Sequence, residues 1–365
     1  MKILITSIGS FGSGPSLIKV LRRAMAGIEI VGADITDRSA AMHMVDHPVI
    51  VPPYGEEEIR FLHAFCREQG VEILLPMDAH HELARILEWE YREAAFSEIG
   101  TTVVGTGLPL DALKRCIYKD RTYELLRQRG LRAPAFHRPR DSEGVRAAAR
   151  ELGYPDRRVL VKPVVSAGNR GMRILDAGHD RFASMMQEKP GSAVMDLPAY
   201  LAILGSGPSF PDVLVMEYLP GKDYSVYCLC DRGEPLYVIP QERIHPAPGM
   251  SVIARVDLNP AVVSYATDVV RAFGLHGNVN LQMKCRAGGE PVIYEINPRY
   301  AGTIVLSCAA GANLAYFGIL QATGKQVPRV TVRDRITMIR YADEIFIDEE
   351  GGRRFRLGGH REEAL

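Results

Sequence analysis

The strongest constraint on the fold is a change of pattern along the chain. Up to about residue 115, short apolar runs alternate with segments of helical period, and from about 159 onward strand-like runs dominate. Lys2–Ser7 is an apolar run that ends in a glycine-rich turn. Leu17, Ile18 and Leu21 follow at helical spacing, and Ile28–Ala33 is a second apolar run ending at Asp34. Glu57–Gly70 reads as a helix, Val71–Pro76 as a buried strand, His81–Tyr91 as a helix and Thr102–Val104 as a strand. This alternation predicts a parallel, doubly wound α/β sheet, a Rossmann-like unit over 1–115. A helix over Ile117–Arg129, closed by Gly130, then leads through Ala133-Pro134 into α+β structure. Its expected strands are Val159–Val164, Met172–Leu175, Val213–Tyr218, Tyr224–Cys230, Pro235–Ile239, Val279–Lys284 and Pro291–Ile296. Helices near 141–152, 180–188 and 260–274 interrupt them. The expected division is a linker helix with a small lobe over 116–215, a larger lobe over 216–348, and a charged, glycine-rich tail over 349–365 that frays.

Composition excludes several functions. At 365 residues the chain is suited to two or three packed units. Lys+Arg and Asp+Glu are equal at 44 each, without the basic excess expected of a nucleic-acid binder. No apolar run approaches the roughly 20 residues that span a bilayer, and the start of the chain carries no charged n-region of a signal peptide. The cysteines Cys66, Cys116, Cys228, Cys230, Cys285 and Cys308 are scattered without zinc-like spacing. Cys228 and Cys230 share one face of a strand and read as small core residues. A reduced, cytoplasmic protein is expected.

Two glycine clusters follow strands. Gly9, Gly12 and Gly14, with Asp34 after the next run, imitate a dinucleotide fingerprint. The spacing is GxxGxG, however, and the other reading is a tight strand-to-helix turn, which could take an anionic part of a substrate. Asp78 follows a strand end, where α/β sheets place ligands, or is a helix N-cap. The second cluster, Val-Leu-Val-Lys162-Pro-Val-Val-Ser166-Ala-Gly168-Asn-Arg-Gly171, reads as strand, glycine-rich loop, strand. No Gly-Lys-Ser/Thr follows, so it is not a Walker loop. A hairpin of small residues can fold over a polyphosphate, with Lys162 as a point charge against it. The other reading is an ordinary hairpin with a wet lysine.

Val-Leu-Val-Met-Glu217-Tyr218-Leu219-Pro-Gly-Lys-Asp223 is an apolar strand running into a Pro-Gly break. A strand leaving its ladder exposes one N–H and one C=O, the pair an adenine edge needs, and Glu217 or Asp223 could accept from ribose hydroxyls. In Tyr294-Glu295-Ile-Asn297-Pro-Arg299, period-two alternation turns Tyr294 and Ile296 to the core, and Glu295 and Asn297 away together. Asn280 and Gln282 alternate likewise one strand upstream. Paired through the turn at 286–289, these strands would offer an oxygen-only set suited to Mg²⁺ held jointly with phosphates. Arg299, past the strand end, can reach a transferring phosphoryl group. Arg243, His245 and Arg255 flank a Pro-rich stretch and either hold a substrate carboxylate or are solvated loop residues.

At these residues the chain resembles the ATP-grasp superfamily, in particular its carbamoyl-phosphate-synthetase-like, single-subunit carboxylate–amine ligases. The resemblance covers nearly the whole chain, and implies a Rossmann-like domain followed by a two-lobed ATP-grasp fold. It implies Lys119 and Lys162 as nucleotide-binding lysines, 166–171 as the phosphate-covering loop, Glu217–Leu219 as the adenine hinge and Asp223 at the ribose. Glu295 and Asn297 match metal ligands, Asn280 and Gln282 compete for the remaining ligand position, and Arg299 matches the residue on the acyl-phosphate oxygens. Two departures stand out: Asp223 replaces a usual Glu, and neither Asn280 nor Gln282 carries charge. The implied cofactors are ATP and Mg²⁺, with Mn²⁺ as a substitute. The implied partners are small-molecule carboxylates and amines, amino acids among them, in a homodimer. The implied reaction activates a carboxylate as an acyl phosphate for capture by an amine. The alternatives are a carbamoyl-phosphate-synthase-like enzyme, an NAD(P)-dependent oxidoreductase using the Gly9–Gly14 turn, and a non-catalytic nucleotide-binding module.

Overall fold

The structure, a computed structural model, describes the chain except residues 10–11, 79–81, 94, 106, 166–168, 188–192, 248–249, 349–352, 359–360 and 365. It divides into two compact units. One comprises Met1–Ile117, Asp223–Gln282 and Ile296–Leu365; the other comprises Tyr118–Lys222 and Met283–Glu295.

The first unit begins with five parallel strands in the order His47–Ile50, Glu29–Asp34, Lys2–Ile5, Ile73–Leu75, Thr102–Val103. Both faces are covered, which is why the strands read as unbroken apolar runs rather than alternating ones. Leu4, Val31 and Leu74 pack with Ile59, Leu62 and Trp89 on one face. Ile3 and Ile5 face the other way and share a core with Leu17, Ile18 and Leu21 of the helix Ser13–Ala24. That same core takes in Tyr227, Leu229, Ile304, Leu306, Leu314 and Phe317 from the later segments of the unit. Antiparallel strands Asp223–Asp231, Glu234–Ala247, Met250–Val256 and Thr337–Ile339 follow one another in a second sheet, with Gly277–Cys285 beside the first of them. Cys228 and Cys230 are fully buried there, as their shared parity predicts.

The second unit holds an antiparallel sheet in the order Phe136–His137, Val213–Glu217, Val159–Pro163, Arg173–Leu175, with Val194–Met195 added in parallel. Val159, Val161 and Val215 face a core formed with Val145, Ala149, Tyr200 and Leu201 of helices Ser142–Glu151 and Leu197–Gly205. Strand alternation therefore turns Lys162 to the opposite face of this sheet.

Three expectations need correction. The linker is two helices, Leu110–Ile117 and Lys119–Gln128, because Tyr118 between them is extended (φ −83°, ψ 111°) and starts the second one afresh. Arg243 and His245 belong to the strand Glu234–Ala247 and Arg255 to Met250–Val256, not to solvated loops; their alternation is broken by register shifts at 243–246. The tail expected to fray contains Arg353–Gly358 and Arg361–Ala364, which pair antiparallel with each other and with Phe346–Asp348. The ladder satisfies backbone groups that charged composition alone would leave to water.

Candidate active site

In the second unit the sequence brings two lysines into one buried place. Lys119 opens its helix and Tyr123 lies one turn on, at i+4, on the same face. Lys162 comes to the same side by the strand parity described above. Its Nζ donates to Tyr123 Oη at 3.0 Å and to the Tyr294 carbonyl at 3.2 Å, and Tyr123 Oη donates to that carbonyl at 2.7 Å. The ammonium lies 5.6 Å and 5.5 Å from the ring centres of Tyr123 and Tyr294. Tyr294 is thus half-buried beneath a lysine instead of facing the core as alternation alone predicts.

Lys119 and Lys162 are only 4% and 7% exposed, and Glu295 is the carboxylate they share, with Oε1 at 3.9 Å from Lys119 Nζ. Burial pushes the Lys162 ammonium down to about 7, the charge of Lys119 pushes the same way, and Glu295 opposes both. Lys119 is lowered for the same reason, with Glu295 again opposing. Among the described residues, two ammonium groups thus face the Glu295 carboxylate in a desolvated place, which favours an anionic ligand.

The hinge Glu217–Leu219 leaves its ladder at the end of Val213–Glu217. Gly221 then donates to the Cys285 carbonyl at 2.8 Å, and a Cβ at Gly221 would stand 2.7 Å from that oxygen, so the turn requires glycine. Arg286 grips Glu217 Oε1 through Nε at 3.3 Å and Nη2 at 2.9 Å. Tyr218 stacks beneath cations, with Lys284 Nζ at 5.3 Å and Arg158 at 6.0 Å from its ring centre. Glu217 and Tyr218 border a cavity of about 600 Å³. After the strand that carries Lys162, Gly171 has φ 73° and its missing Cβ would stand 2.7 Å from Pro163 Cγ. Ser166 and Gly168 lie outside the described residues.

The first unit holds the carboxamides of the candidate set, together with Asp223 and Arg299. Ser225 and Gln241 are register partners on neighbouring strands, and Asn280 Nδ2 donates to Ser225 Oγ at 2.8 Å. Asn280 is fully buried, yet its Oδ1 has no hydrogen-bond partner among the described residues. Asn280 and Gln282 line a cavity of about 40 Å³ with Ser225, Arg243, Thr303 and Arg340. Asn297 Oδ1 accepts from Arg299 Nη2 at 3.2 Å, while Arg299 Nη1 donates to the Tyr300 carbonyl at 2.8 Å. Asp223 accepts from Arg243 at 3.2 Å, and Arg255 donates to Glu242 at 2.8 Å.

At the N-terminal turn, Asp34 Oδ2 accepts from the Gly9 N–H at 2.8 Å, so this acid closes the turn. Asp78 does not cap the helix Ala84–Arg92, which has Leu83 at its N-cap with no side-chain bond. Glu82, further along the same segment, is a strongly perturbed group. It is fully buried, accepts from Thr6 Oγ1 at 2.5 Å, from Ser7 Oγ, and from the backbone N–H of Met77 and Asp78 at 3.1 Å, and burial pushes its carboxyl up to about 7. Tyr123 was also missed, although its i+4 spacing from Lys119 was a usable signal.

A family profile described as ATP-grasp in the biosynthetic pathway with Ter operon matches residues 209–345, and a PylC-like N-terminal domain profile matches residues 3–104. The chain is 27% identical over 223 residues to the carbamoyl phosphate synthase large chain of Thermomicrobium roseum, covering 58% of this chain and 18% of that one. The chain thus spans less than a fifth of that relative's length. The ADP complex of purK, N5-carboxyaminoimidazole ribonucleotide synthetase, has a similar fold: TM-score 0.69 at 16% identity, covering 93% of this chain and 81% of that one. An L-amino acid ligase from Bacillus licheniformis superposes with TM-score 0.59 at 16% identity, covering 88% and 73%. The chain therefore carries a PylC-like N-terminal domain and an ATP-grasp domain.

Proposed function

We propose that the protein is an ATP-dependent ligase that activates a small-molecule carboxylate as an acyl phosphate and joins it to an amine, releasing ADP and phosphate. The observation that carries this reading is the pair Lys119 and Lys162, buried with Glu295 as their shared carboxylate. Burying cations without matching negative charge costs stability, and a polyphosphate supplies that charge. Nucleotide binding would also hold Lys162 protonated, by placing anionic oxygens where only Tyr123 Oη and the Tyr294 carbonyl now accept from it. The hinge Glu217–Leu219 would take the adenine edge through its backbone, Gly171 belongs to the loop over the phosphates, and Asp223 stands for the ribose contact.

Asn280, Gln282, Glu295 and Asn297 offer only oxygen ligands, and the unpartnered buried Oδ1 of Asn280 fits a hard cation. These residues would hold Mg²⁺, or Mn²⁺ in its place, which neutralises phosphate charge when bound. Arg299 would set its planar fork against the phosphoryl group as it leaves the β–γ bridging oxygen of ATP for a carboxylate oxygen. The amine nitrogen then attacks the carbonyl carbon, phosphate departs, and the nitrogen loses its proton. The proposal places the enzyme in the cytoplasm, which the scattered spacing of its six cysteines supports.

The test is ADP release across pairs of carboxylates and amines. Likeness to the L-amino acid ligase fold makes amino-acid pairs the first to try. ADP release that requires both members of a pair supports the ligase; binding of ATP with no release by any pair overturns it.

A further inference from the structure

A second cavity in the first unit, about 360 Å³, opens beside the N-terminal glycine turn. Its size is that of a small-metabolite pocket. Lys19, Arg38 and Arg340 stand in its wall against a single acid, Asp343. Neither Lys19 nor Arg38 has a carboxylate partner among the described residues. Arg340 donates to the Gly302 carbonyl at 2.9 Å and approaches Ser16 Oγ at 3.5 Å, while its Nε is buried without a partner. A half-buried guanidinium bonded, among the described residues, only to neutral groups is a costly cation. Burial accordingly lowers its pKa. The helix Ser13–Ala24 adds an uncapped N-terminus, since Gly12, at its N-cap and in the cavity wall, supplies no side chain.

The rest of the wall is apolar: Pro15, Met44, Met250 and Ile345 line the same cavity. Gly12, Met250 and Arg340 also line the 40 Å³ polar cavity that holds Asn280 and Gln282. Arg340 is therefore common to the walls of a small polar cavity and a larger amphiphilic one.

We propose that the larger cavity selects the substrate by its non-reacting end, which is an anionic group, carboxylate or phosphate monoester, carried on a short apolar body. This rests on the ligase reading for the word substrate, but the binding site itself does not need ATP. The anion lies against Arg340, Lys19 and Arg38, and the apolar body against Pro15, Met44, Met250 and Ile345.

The test is titration of the full chain, without nucleotide, with 4-methylpentanoate, 3-methylbutyl phosphate, 3-methylbutan-1-ol and 3-methylbutylamine, followed by calorimetry or ligand-observed NMR. At least one anion should bind ten-fold or more tighter than the alcohol and the amine, with affinity falling as salt rises; which anion binds separates the two sources. Lys19→Ala/Arg38→Ala, at exposed positions that leave folding intact, should weaken that anion at least five-fold. Arg340→Lys should weaken it further, with an unchanged melting temperature. Equal binding of alcohol and anions, or anion affinity unchanged in both variants, overturns the proposal. In parallel, the same protein is given Mg-ATP and assayed for ADP release across the pairs of carboxylates and amines. Anion selectivity without any ADP release sinks the ligase reading alone, and ADP release without anion selectivity sinks this inference alone.

Discussion

The two units bury polar groups in opposite ways. The Tyr118–Lys222 unit buries charge: Lys119 and Lys162 against Glu295. The other unit buries neutral carboxamides, Gln241, Asn278 and Asn280, each with a donor bonded and an oxygen left without a partner. The first arrangement stores an electrostatic penalty that an anion relieves. The second stores unmet acceptor capacity that a cation or water relieves, at far lower cost, since an unpaired amide oxygen costs only about 1–3 kcal/mol. Buried ammonium groups and buried carboxamides thus carry different penalties in the two units.

The largest effect is expected where the two buried lysines lose the carboxylate they face. Glu295→Gln should lower ADP formation on the order of 10³-fold while the fold persists. It should also weaken Mg²⁺ dependence, because an oxygen ligand loses its charge. Unchanged turnover at saturating Mg²⁺ would remove Glu295 from the metal set.

Arg299 comes next. Charge grows on the phosphoryl oxygens only as the reaction proceeds, so Arg299→Ala should lower kcat more than it raises KM for ATP. The loss should be on the order of 10²–10³-fold, or about 3–4 kcal/mol, and Arg299→Lys should recover only part of it. Full activity of the lysine variant, measured in steady state, rules out the bidentate role.

Lys162→Met tests the stored penalty directly. The folded pKa of Lys162 is lowered to about 7 from 10.5, so between those values the unfolded chain binds more protons than the folded one. Its penalty is greatest below about pH 7 and disappears as pH rises through 10.5, so stability rises with pH across that window. Lys162→Met should flatten this slope and raise stability without nucleotide by roughly 1–3 kcal/mol at pH 6.5, while ATP affinity falls at least ten-fold. A lower melting temperature with native ATP affinity is the outcome expected of a purely structural lysine.

The smallest effect belongs to the carboxamides. Asn280→Leu should raise the Mg²⁺ concentration needed for half-maximal turnover several-fold and change melting by about 1 kcal/mol or less, since donor and orphan acceptor go together. A loss of activity that excess Mg²⁺ cannot rescue would show that Asn280 positions something other than the metal.

Legibility in the sequence followed the range of the forces involved. The parallel sheet was readable from its apolar runs because burial on both faces leaves a local signature. The side on which Lys162 emerges was likewise readable from Val159 and Val161. Tyr123 could have been read from its distance to Lys119. The break at Tyr118 and the register shifts after Arg243 were not readable, because each trades local propensity for nonlocal pairing. Glu82 escaped notice because its partners, Thr6 and Ser7, are 76 and 75 residues away in sequence.

The sequence by itself determined the doubly wound N-terminal domain, the two glycine clusters and the Glu295-Ile-Asn297-Pro-Arg299 strand end. All rest on period, spacing and residue chemistry over a few turns of chain. Only the tertiary structure decided that Lys119 and Lys162 share one carboxylate, that Asn280 keeps a buried oxygen unpartnered, and that Arg340 is half-buried against neutral groups. The physical reason is that desolvation depends on everything packed around a group. An ammonium or a guanidinium reads the same in sequence whether water or protein surrounds it, and that surrounding sets its charge and what it will bind.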